Sequence, residues 1–357
     1  MWAKEMGAIP GQASFRPRCS RARSASNLLA CHGSAPLVLD TPAIIVGIFG
    51  LVGLGYASRR TGLLAASVGH GLTDFVFKAA IPILLFDTLS SADFQELSPW
   101  RIWAAYFIPF ALIWACGRLT IRHVFGRDER AGIVAGGSAA FSNGVLIGLP
   151  LMQAAFGEAG TIYLIVIVAV QLPVMMLVSV VLHEFATSAE SEASGLRGSR
   201  GEAARRLALA LATHPILLSI LAGLLWRLTG IQAPGVALSI LDPLARAAGP
   251  LALFAAGMAL LDYGVARQVR PAFAIAALKL FVMPALVFAC AQALALPPLG
   301  IAVVTLTAAC PTGVNAFLIA RRLGAGQALA SNAMLISTAG AVVTVSLWLV
   351  LLQRLLG

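Results

Sequence analysis

Long apolar segments separated by short polar connections run from about residue 41 to the end of the chain. Charged residues, glycine and proline delimit ten of them, at 41–58, 70–91, 100–122, 131–154, 160–185, 207–229, 236–261, 270–294, 298–320 and 328–355. A helix needs about 20 apolar residues to cross the hydrocarbon core of a bilayer. Helices satisfy their own backbone hydrogen bonds in lipid, so the pattern predicts an all-α integral membrane protein with ten transmembrane helices.

Composition excludes both a soluble globular enzyme and a disordered protein. Hydrophobic residues make up 59% of the 357-residue chain and charged residues only 11%, whereas an ordinary soluble domain carries about a quarter charged residues. Such a chain cannot cover a water-exposed surface with polar groups, which excludes a soluble globular enzyme. It is equally unlike a disordered protein, which is poor in apolar residues.

The longest polar stretch within the apolar region divides it into two groups of five segments. We therefore predict a first five-helix repeat at 38–185, a cytoplasmic loop at 186–206 and a second five-helix repeat at 207–357. Residues 1–37 are basic and rich in serine. We predict that they are a disordered tail or lie upstream of the true start, and they are left out of the fold prediction.

The net charge of +10 reflects membrane topology. Fourteen arginines fall at alternate connections between segments, and three fall at the others. Loops rich in arginine and lysine face the cytoplasm, so both termini are predicted outside it, in the inner (plasma) membrane. The chain has no basic stripe with interleaved aromatic residues, as nucleic-acid recognition would require, so no nucleic-acid partner is expected.

The two halves resemble each other at an offset of 168 residues. Residues 72–86 align with 240–254, and the matched positions are Asp74 with Asp242, Lys78 with Arg246 and Pro82 with Pro250. Five helices per repeat is an odd number, so the second repeat must be inverted in the membrane. Inverted repeats are typical of secondary transporters.

The fourth and ninth segments carry residues that weaken helices at mid-membrane. These candidate substrate-binding residues are Asn143, Gly144, Gly148 and Pro150 in one segment, and Pro311, Thr312, Gly313 and Asn315 in the other. Proline removes a backbone donor and glycine loosens a helix. Two opposed half-helices would direct their positively polarised N-termini at an anion. The alternative is a pair of kinked helices that only pack.

Charged residues inside apolar segments are the second group of candidates. Asp74 and Lys78 are four residues apart, as are Asp242 and Arg246, so each pair shares one helix face. Either pair is a coupling or support site for transport, or a structural ion pair. Lys279 also lies in an apolar segment. Either its long side chain extends toward the membrane surface, or, like Lys78 and Arg246, it marks a place where function should be sought first.

Cofactor chemistry is not indicated. The five cysteines show no CxxC pair and no metal-ligand spacing, so we expect neither a metal site nor a cofactor. The sequence also offers no HExxH motif and no catalytic grouping of serine, histidine and aspartate. The chain is therefore not expected to be an enzyme.

Four motifs together resemble the auxin efflux carrier family in its bacterial branch. They are GLVGLGYASRRTGLL (50–64), FSNGVLIGLPL (141–151), LFAAGMAL (253–260) and ACPTGVNAFLIA (309–320). The resemblance implies a sodium/proton-antiporter-like transporter fold of ten helices in two inverted repeats. Helices 1, 2, 6 and 7 would form a scaffold, which also makes a homodimer, and helices 3–5 and 8–10 a moving transport domain.

The family resemblance also implies roles for particular residues. The broken helices 4 and 9 would cross at the substrate site, with Asn143 and Pro311 at the crossing, and Asp74 with Lys78 would be the support pair. Gly144 stands where the plant proteins have proline, and the central loop is short. Malonate, malate or a similar small carboxylate is therefore a better expected substrate than auxin.

Together these features predict a secondary active transporter for small organic anions that works by an elevator-type movement, with a proton as the candidate coupling ion. The alternative is a cation/proton antiporter or a bile-acid-type symporter of related fold. Those proteins need acidic side chains at the crossing. Residues 131–154 and 298–320 contain none.

Overall fold

The computed structural model describes residues 41–92, 97–191, 200–231, 235–262 and 269–356, and within these ranges it is helical, without a strand. The predicted tail, 1–37, lies outside the described residues. The α-helices are α1 Thr41–Arg60, α2 Ala66–Phe75, α3 Ile81–Ser91, α4 Pro99–Leu119, α5 Glu129–Ala140, α6 Leu149–Ser191, α7 Arg200–Ala212, α8 Pro215–Leu228, α9 Gly235–Ala259, α10 Val269–Ala277, α11 Met283–Ala293, α12 Pro298–Ala309, α13 Val314–Leu323 and α14 Gln327–Leu356.

Short π-helical turns interrupt or extend several of these helices. They are Val76–Ala80 between α2 and α3, Thr120–Val124 after α4, Gly144–Gly148 before α6, and Leu278–Val282 between α10 and α11. A single π-helical turn within an α-helix often marks a functional position. Two of these turns carry a lysine, Lys78 in the first and Lys279 in the last.

Six helical spans in the described ranges are long and apolar enough to cross a membrane. They are Thr41–Arg60, Pro99–Val124, Gly144–Met175, Ser239–Asp262, Val269–Ala293 and Gln327–Leu356. Two shorter helices, Pro215–Leu228 and Pro298–Ala309, are also apolar. These lengths and compositions confirm the prediction of an all-α integral membrane protein.

Helix α6 is continuous by its hydrogen bonds but bends sharply at Gly157. This residue has φ +62°, in the left-handed region that glycine tolerates and other residues rarely adopt. The bend falls between the predicted segments 131–154 and 160–185. At its far end α6 runs to Ser191, and α7 begins at Arg200, so the part of the predicted loop at 192–199 lies outside the described residues.

The interior is built around the two helices that precede the predicted breaks. In α12 every residue from 300 to 309 is buried, and α5 is buried from 131 to 140 except at Ile133. Around them α4 packs on α5, α11 packs on α12, and α1 and α3 pack on α9 and α8 respectively. The centre of the fold is therefore the pair α5 and α12.

Glycines bring neighbouring helices into backbone contact at the periphery. A Cβ on Gly55 of α1 would lie 2.1 Å from the Phe254 carbonyl oxygen, and a Cβ on Gly257 of α9 would lie 2.0 Å from the Val52 carbonyl oxygen. Only glycine permits this approach between α1 and α9. Gly223 of α8 lies in the same way against α3, where a Cβ would be 3.0 Å from the Phe86 carbonyl oxygen.

Candidate functional site

Both predicted breaks are present. Helix α5 ends at Ala140, and helical structure resumes at Gly144; α12 ends at Ala309, and α13 begins at Val314. The two non-helical segments, 141–143 and 310–313, pair antiparallel, with Ser142 opposite Thr312. The broken helices thus cross at their breaks.

Backbone hydrogen bonds hold the crossing together. The Asn143 N–H donates to the Pro311 carbonyl at 2.8 Å, and the Gly313 N–H donates to the Phe141 carbonyl at 3.0 Å. Pro311 has no N–H, so it cannot continue the α12 ladder. A Cβ on Gly313 would lie 3.1 Å from the Ser142 carbonyl oxygen, so glycine permits the close approach of the two segments.

Thr312 anchors the second break to its surroundings. Its N–H donates to Ser337 Oγ at 3.0 Å, and its hydroxyl donates to the Ser138 carbonyl at 2.8 Å. All three residues are buried. Thr312 was predicted to bind substrate, and the structure places its side chain in this internal network.

Two helix N-termini meet at the crossing. Asn143 immediately precedes the turn Gly144–Gly148, and Gly313 immediately precedes α13. The first N–H groups of a helix have no acceptor in their own helix, and they carry a partial positive charge. Two such ends side by side form an environment that favours an anion.

A narrow space adjoins these N-termini. The whole space measures about 300 Å³. Water can occupy only about 10 Å³ of it, which is room for about one molecule. Its lining residues come from the crossing, α1, α9 and α14. They are Val52, Asn143, Leu146, Ile147, Ala256, Ala259, Leu260, Val314, Met334 and Thr338.

A second, wider space continues along the same helices. Water can occupy about 320 Å³ of it. Its lining includes Ile48 and Leu51 of α1, Leu253 of α9, and Pro150 with Gln153 of α6. Lining residues of the two spaces lie within three positions of each other along the chain, such as Val52 and Leu51 or Ala256 and Leu253. The wider space therefore lies beside the narrow one, toward the N-terminal end of α1.

The other predicted binding residues lie close to the crossing. Added Cβ atoms on Gly144 and Gly148 would each contact Leu164 of α6 at 3.8 Å. The Cβ on Gly148 would also contact Cys310 Sγ at 3.6 Å. Asn315 is half-buried in the first turn of α13. Among the predicted residues, Asn143 lines the narrow space and Pro150 lines the wider one.

Both predicted ion pairs form, away from the lining of these spaces. Lys78 Nζ donates to Asp74 Oδ2 at 2.7 Å, and the two side chains are 66% and 67% exposed. Arg246 pairs with Asp242 in the same way on α9, with exposures of 77% and 42%. Within the described residues, no group of three or more histidine, cysteine, aspartate or glutamate side chains is placed to hold a metal ion.

Of the two alternatives for Lys279, the structure excludes extension toward the membrane surface. Its side chain is fully buried. The Nζ donates to Ser142 Oγ at 2.5 Å and to the Ala308 carbonyl at 3.0 Å, and it lies 3.1 Å from Met283 Sδ. The long apolar stem of the lysine would allow its amine to reach the membrane surface. Hydroxyl and carbonyl groups at the breaks instead hold the amine inside the fold.

Two further buried polar residues, which sequence reasoning missed, complete this network. The hydroxyl oxygens of Tyr106 and Ser142 are 3.0 Å apart, and Tyr106 also lies 3.3 Å from Gln171 Oε1. Gln171 Nε2 donates to the Ser142 carbonyl at 3.2 Å. The only sequence signal for their role is that a glutamine and a tyrosine occur in apolar segments. That signal is weak, because single polar residues are common in membrane helices.

Comparison with known proteins agrees with this geometry. The model of a family described as membrane transport proteins matches residues 43–349. A Rhizobium meliloti (strain 1021) protein named "Putative malonate transporter" is 28% identical over 313 residues, which cover 86% of this chain and 94% of the relative. A Methanothermobacter thermautotrophicus (strain Delta H) protein named "Uncharacterized transporter" is 27% identical over 327 residues, 88% of this chain and 100% of the relative.

Proposed function

The chain belongs to the membrane transport protein family, that of the auxin efflux carriers, and from this premise we propose that it is a secondary active transporter for small organic anions in the inner membrane. The observation that carries the proposal is the meeting of two helix N-termini at Asn143 and Gly313, beside a space that Asn143 lines. First-turn N–H groups, which have no acceptor in their own helix, and an amide side chain suit a carboxylate. Malonate is the first substrate to test, because a relative of similar length bears that name.

An elevator-type movement accounts for the size of the narrow space. Room for about one water is too little for a dicarboxylate. Binding therefore requires the crossing to move relative to the wall formed by α1 and α9. In the proposed mechanism this wall belongs to the scaffold, and the crossing travels with the transport domain.

The glycine contacts support two inverted five-helix repeats. Gly55 packs on Phe254, and Gly223 packs on Phe86. Adding 168 to the first glycine gives the second, and adding 168 to Phe86 gives Phe254, so each repeat supplies the glycine that packs on the other. A two-fold relation between repeats explains why α1 packs on α9 and α3 on α8.

We propose ten transmembrane helices with both termini outside the cytoplasm, and a homodimer formed through the scaffold.

The ion pairs are proposed to couple transport to protons. Asp74 with Lys78 and Asp242 with Arg246 occupy matched positions in the two repeats, and both pairs are exposed. Uptake should then depend on a pH gradient as well as on substrate.

The cation/proton antiporter and the bile-acid-type symporter are weaker candidates. None of the residues that line the narrow space is acidic. A cation stripped of its water needs carboxylate or carbonyl ligands in compensation. The crossing instead offers N–H donors, which suit the opposite charge.

Uptake of radiolabelled malonate into proteoliposomes tests the proposal. Purified protein should accumulate malonate above protein-free liposomes, and unlabelled malate should compete. Absence of transport for a panel of mono- and dicarboxylates would refute the organic-anion function. Quenching of a pH-sensitive dye by added sodium or potassium, without any response to carboxylates, would instead favour the antiporter.

A further inference from the structure

Lys279 is a fully buried lysine whose hydrogen-bond partners are uncharged. Its hydrogen-bond partners are a hydroxyl, a carbonyl and a thioether. No carboxylate in the described part of the chain forms an ion pair with it. A charged side chain within a membrane protein is costly and, where it is kept, usually serves transport or binding.

The ammonium joins both breaks from one side of the crossing. Ser142 belongs to the first break, and Ala308 lies in the last turn of α12, just before the second. Ser142 accepts a hydrogen bond from Lys279, whereas Asn143, the next residue, lines the narrow space.

Hydrogen bonds behind the crossing hold the lysine in position. An ammonium only donates, so Ser142 Oγ accepts from Lys279. Ser142 Oγ also accepts from the Tyr106 hydroxyl, 3.0 Å away, and Tyr106 lies 3.3 Å from Gln171 Oε1. Gln171 Nε2 donates to the Ser142 carbonyl. These contacts fix the Lys279 amine without any contribution from substrate.

We propose that Lys279 is the fixed countercharge for the anionic substrate, acting on it across the backbone of residues 141–143 without touching it. The inference rests on the proposed transport of organic anions. The first N–H groups of the two helices that follow Asn143 and Gly313 orient the carboxylate. The lysine behind them sets how strongly affinity depends on the number of negative charges the substrate carries.

A purely structural role makes a different prediction. Lys279 also lies by the carbonyl end of α12, where a cation offsets the negative end of a helix. If that were its whole contribution, removing the charge would loosen the crossing and weaken every ligand alike. Substrates of the same shape and different charge therefore separate the two roles.

The test compares malonate, with two charges at neutral pH, and monomethyl malonate, with one. Their dissociation constants are measured by isothermal titration calorimetry on the purified full chain and on Lys279→Met. A unit charge at about 10 Å in a medium of effective dielectric constant about 20 changes affinity on the order of tenfold. Lys279→Met should therefore weaken malonate about tenfold more than it weakens the monoester. Arg354→Met removes one charge from an exposed position in α14 and should weaken neither ligand.

Each result has one meaning. Equal weakening of both ligands, or no weakening, would overturn the proposed countercharge. Failure of the wild-type protein to bind malonate or any other member of the carboxylate panel would refute the proposed function itself, and this inference with it. If Lys279→Met does not fold, Lys279→Gln keeps a donor for Ser142 without the charge, and the same difference between the two ligands is required of it.

Discussion

Replacing Gly257 with alanine should separate α1 from α9. The new Cβ would lie 2.0 Å from the Val52 carbonyl oxygen and 2.9 Å from the Tyr56 nitrogen, whereas ordinary contacts begin at 3.4 Å. Both neighbouring atoms are backbone, so no side chain can turn away. The helices must move apart locally by about 1 Å or more, which gives up close contacts along the whole interface.

The expected loss of stability is roughly 1–2 kcal/mol. Overpacking that forces backbone shifts costs about 1–3 kcal/mol. Alanine offsets about 0.5–1 kcal/mol of this, because it is a better helix former than glycine. For a chain of this size we expect the midpoint of thermal unfolding to fall by roughly 1–3 °C.

Thermal unfolding of the purified protein in detergent, followed by the fluorescence of a thiol-reactive dye or by circular dichroism, measures the effect. Gly53→Ala is the matched control, because Gly53 lies in α1 and has no atom within 4 Å of its added Cβ. That variant should unfold at or slightly above the wild-type temperature. Equal midpoints for Gly257→Ala and Gly53→Ala would refute the close packing of α1 on α9 and weaken the argument for inverted repeats.

Three further predictions concern binding and coupling. Asn143→Ala should weaken malonate binding by roughly 10-fold or more, the value of a hydrogen bond to a charged group, and a calorimetric affinity equal to wild type would remove Asn143 from the site. Ala256→Phe should fill the narrow space and abolish malonate uptake into proteoliposomes, whereas Ala154→Phe, in the wider space, should retain uptake. If both variants lose uptake, or both retain it, the substrate site is not in the narrow space. Asp74→Asn should make uptake indifferent to an imposed pH gradient while malonate still binds, and uptake that still follows the gradient would exclude this pair as the coupling site.

The positions of the breaks could be predicted because they depend on local chemistry. Pro311 cannot donate the hydrogen bond that would continue α12, and Gly313 accepts the close approach of another backbone. These are properties of single residues, visible in a sequence. The pairing between breaks is different, because the bond from Asn143 to Pro311 joins positions 168 residues apart, and only the internal repeat suggested that the two segments are related.

The surroundings of Lys279 could not be predicted, since a lysine in an apolar segment has two outcomes of opposite meaning. Its stem is long enough to carry the charge to the membrane surface, and the same length reaches Ser142 and Ala308 at the centre of the fold. The choice depends on which face of the helix α10–α11 packs on α4 and α12. Hydropathy along a segment cannot supply that information when every face is apolar.

In the proposed mechanism the two kinds of charge in the apolar segments have separate tasks. The exposed pairs, such as Asp74 with Lys78, do not line the space beside Asn143. Lys279 is buried and bonds to Ser142, the residue before Asn143. A substrate charge that must be balanced in the site, and a proton that must enter from water, place opposite demands on exposure, so separate residues can meet both demands where one residue could not.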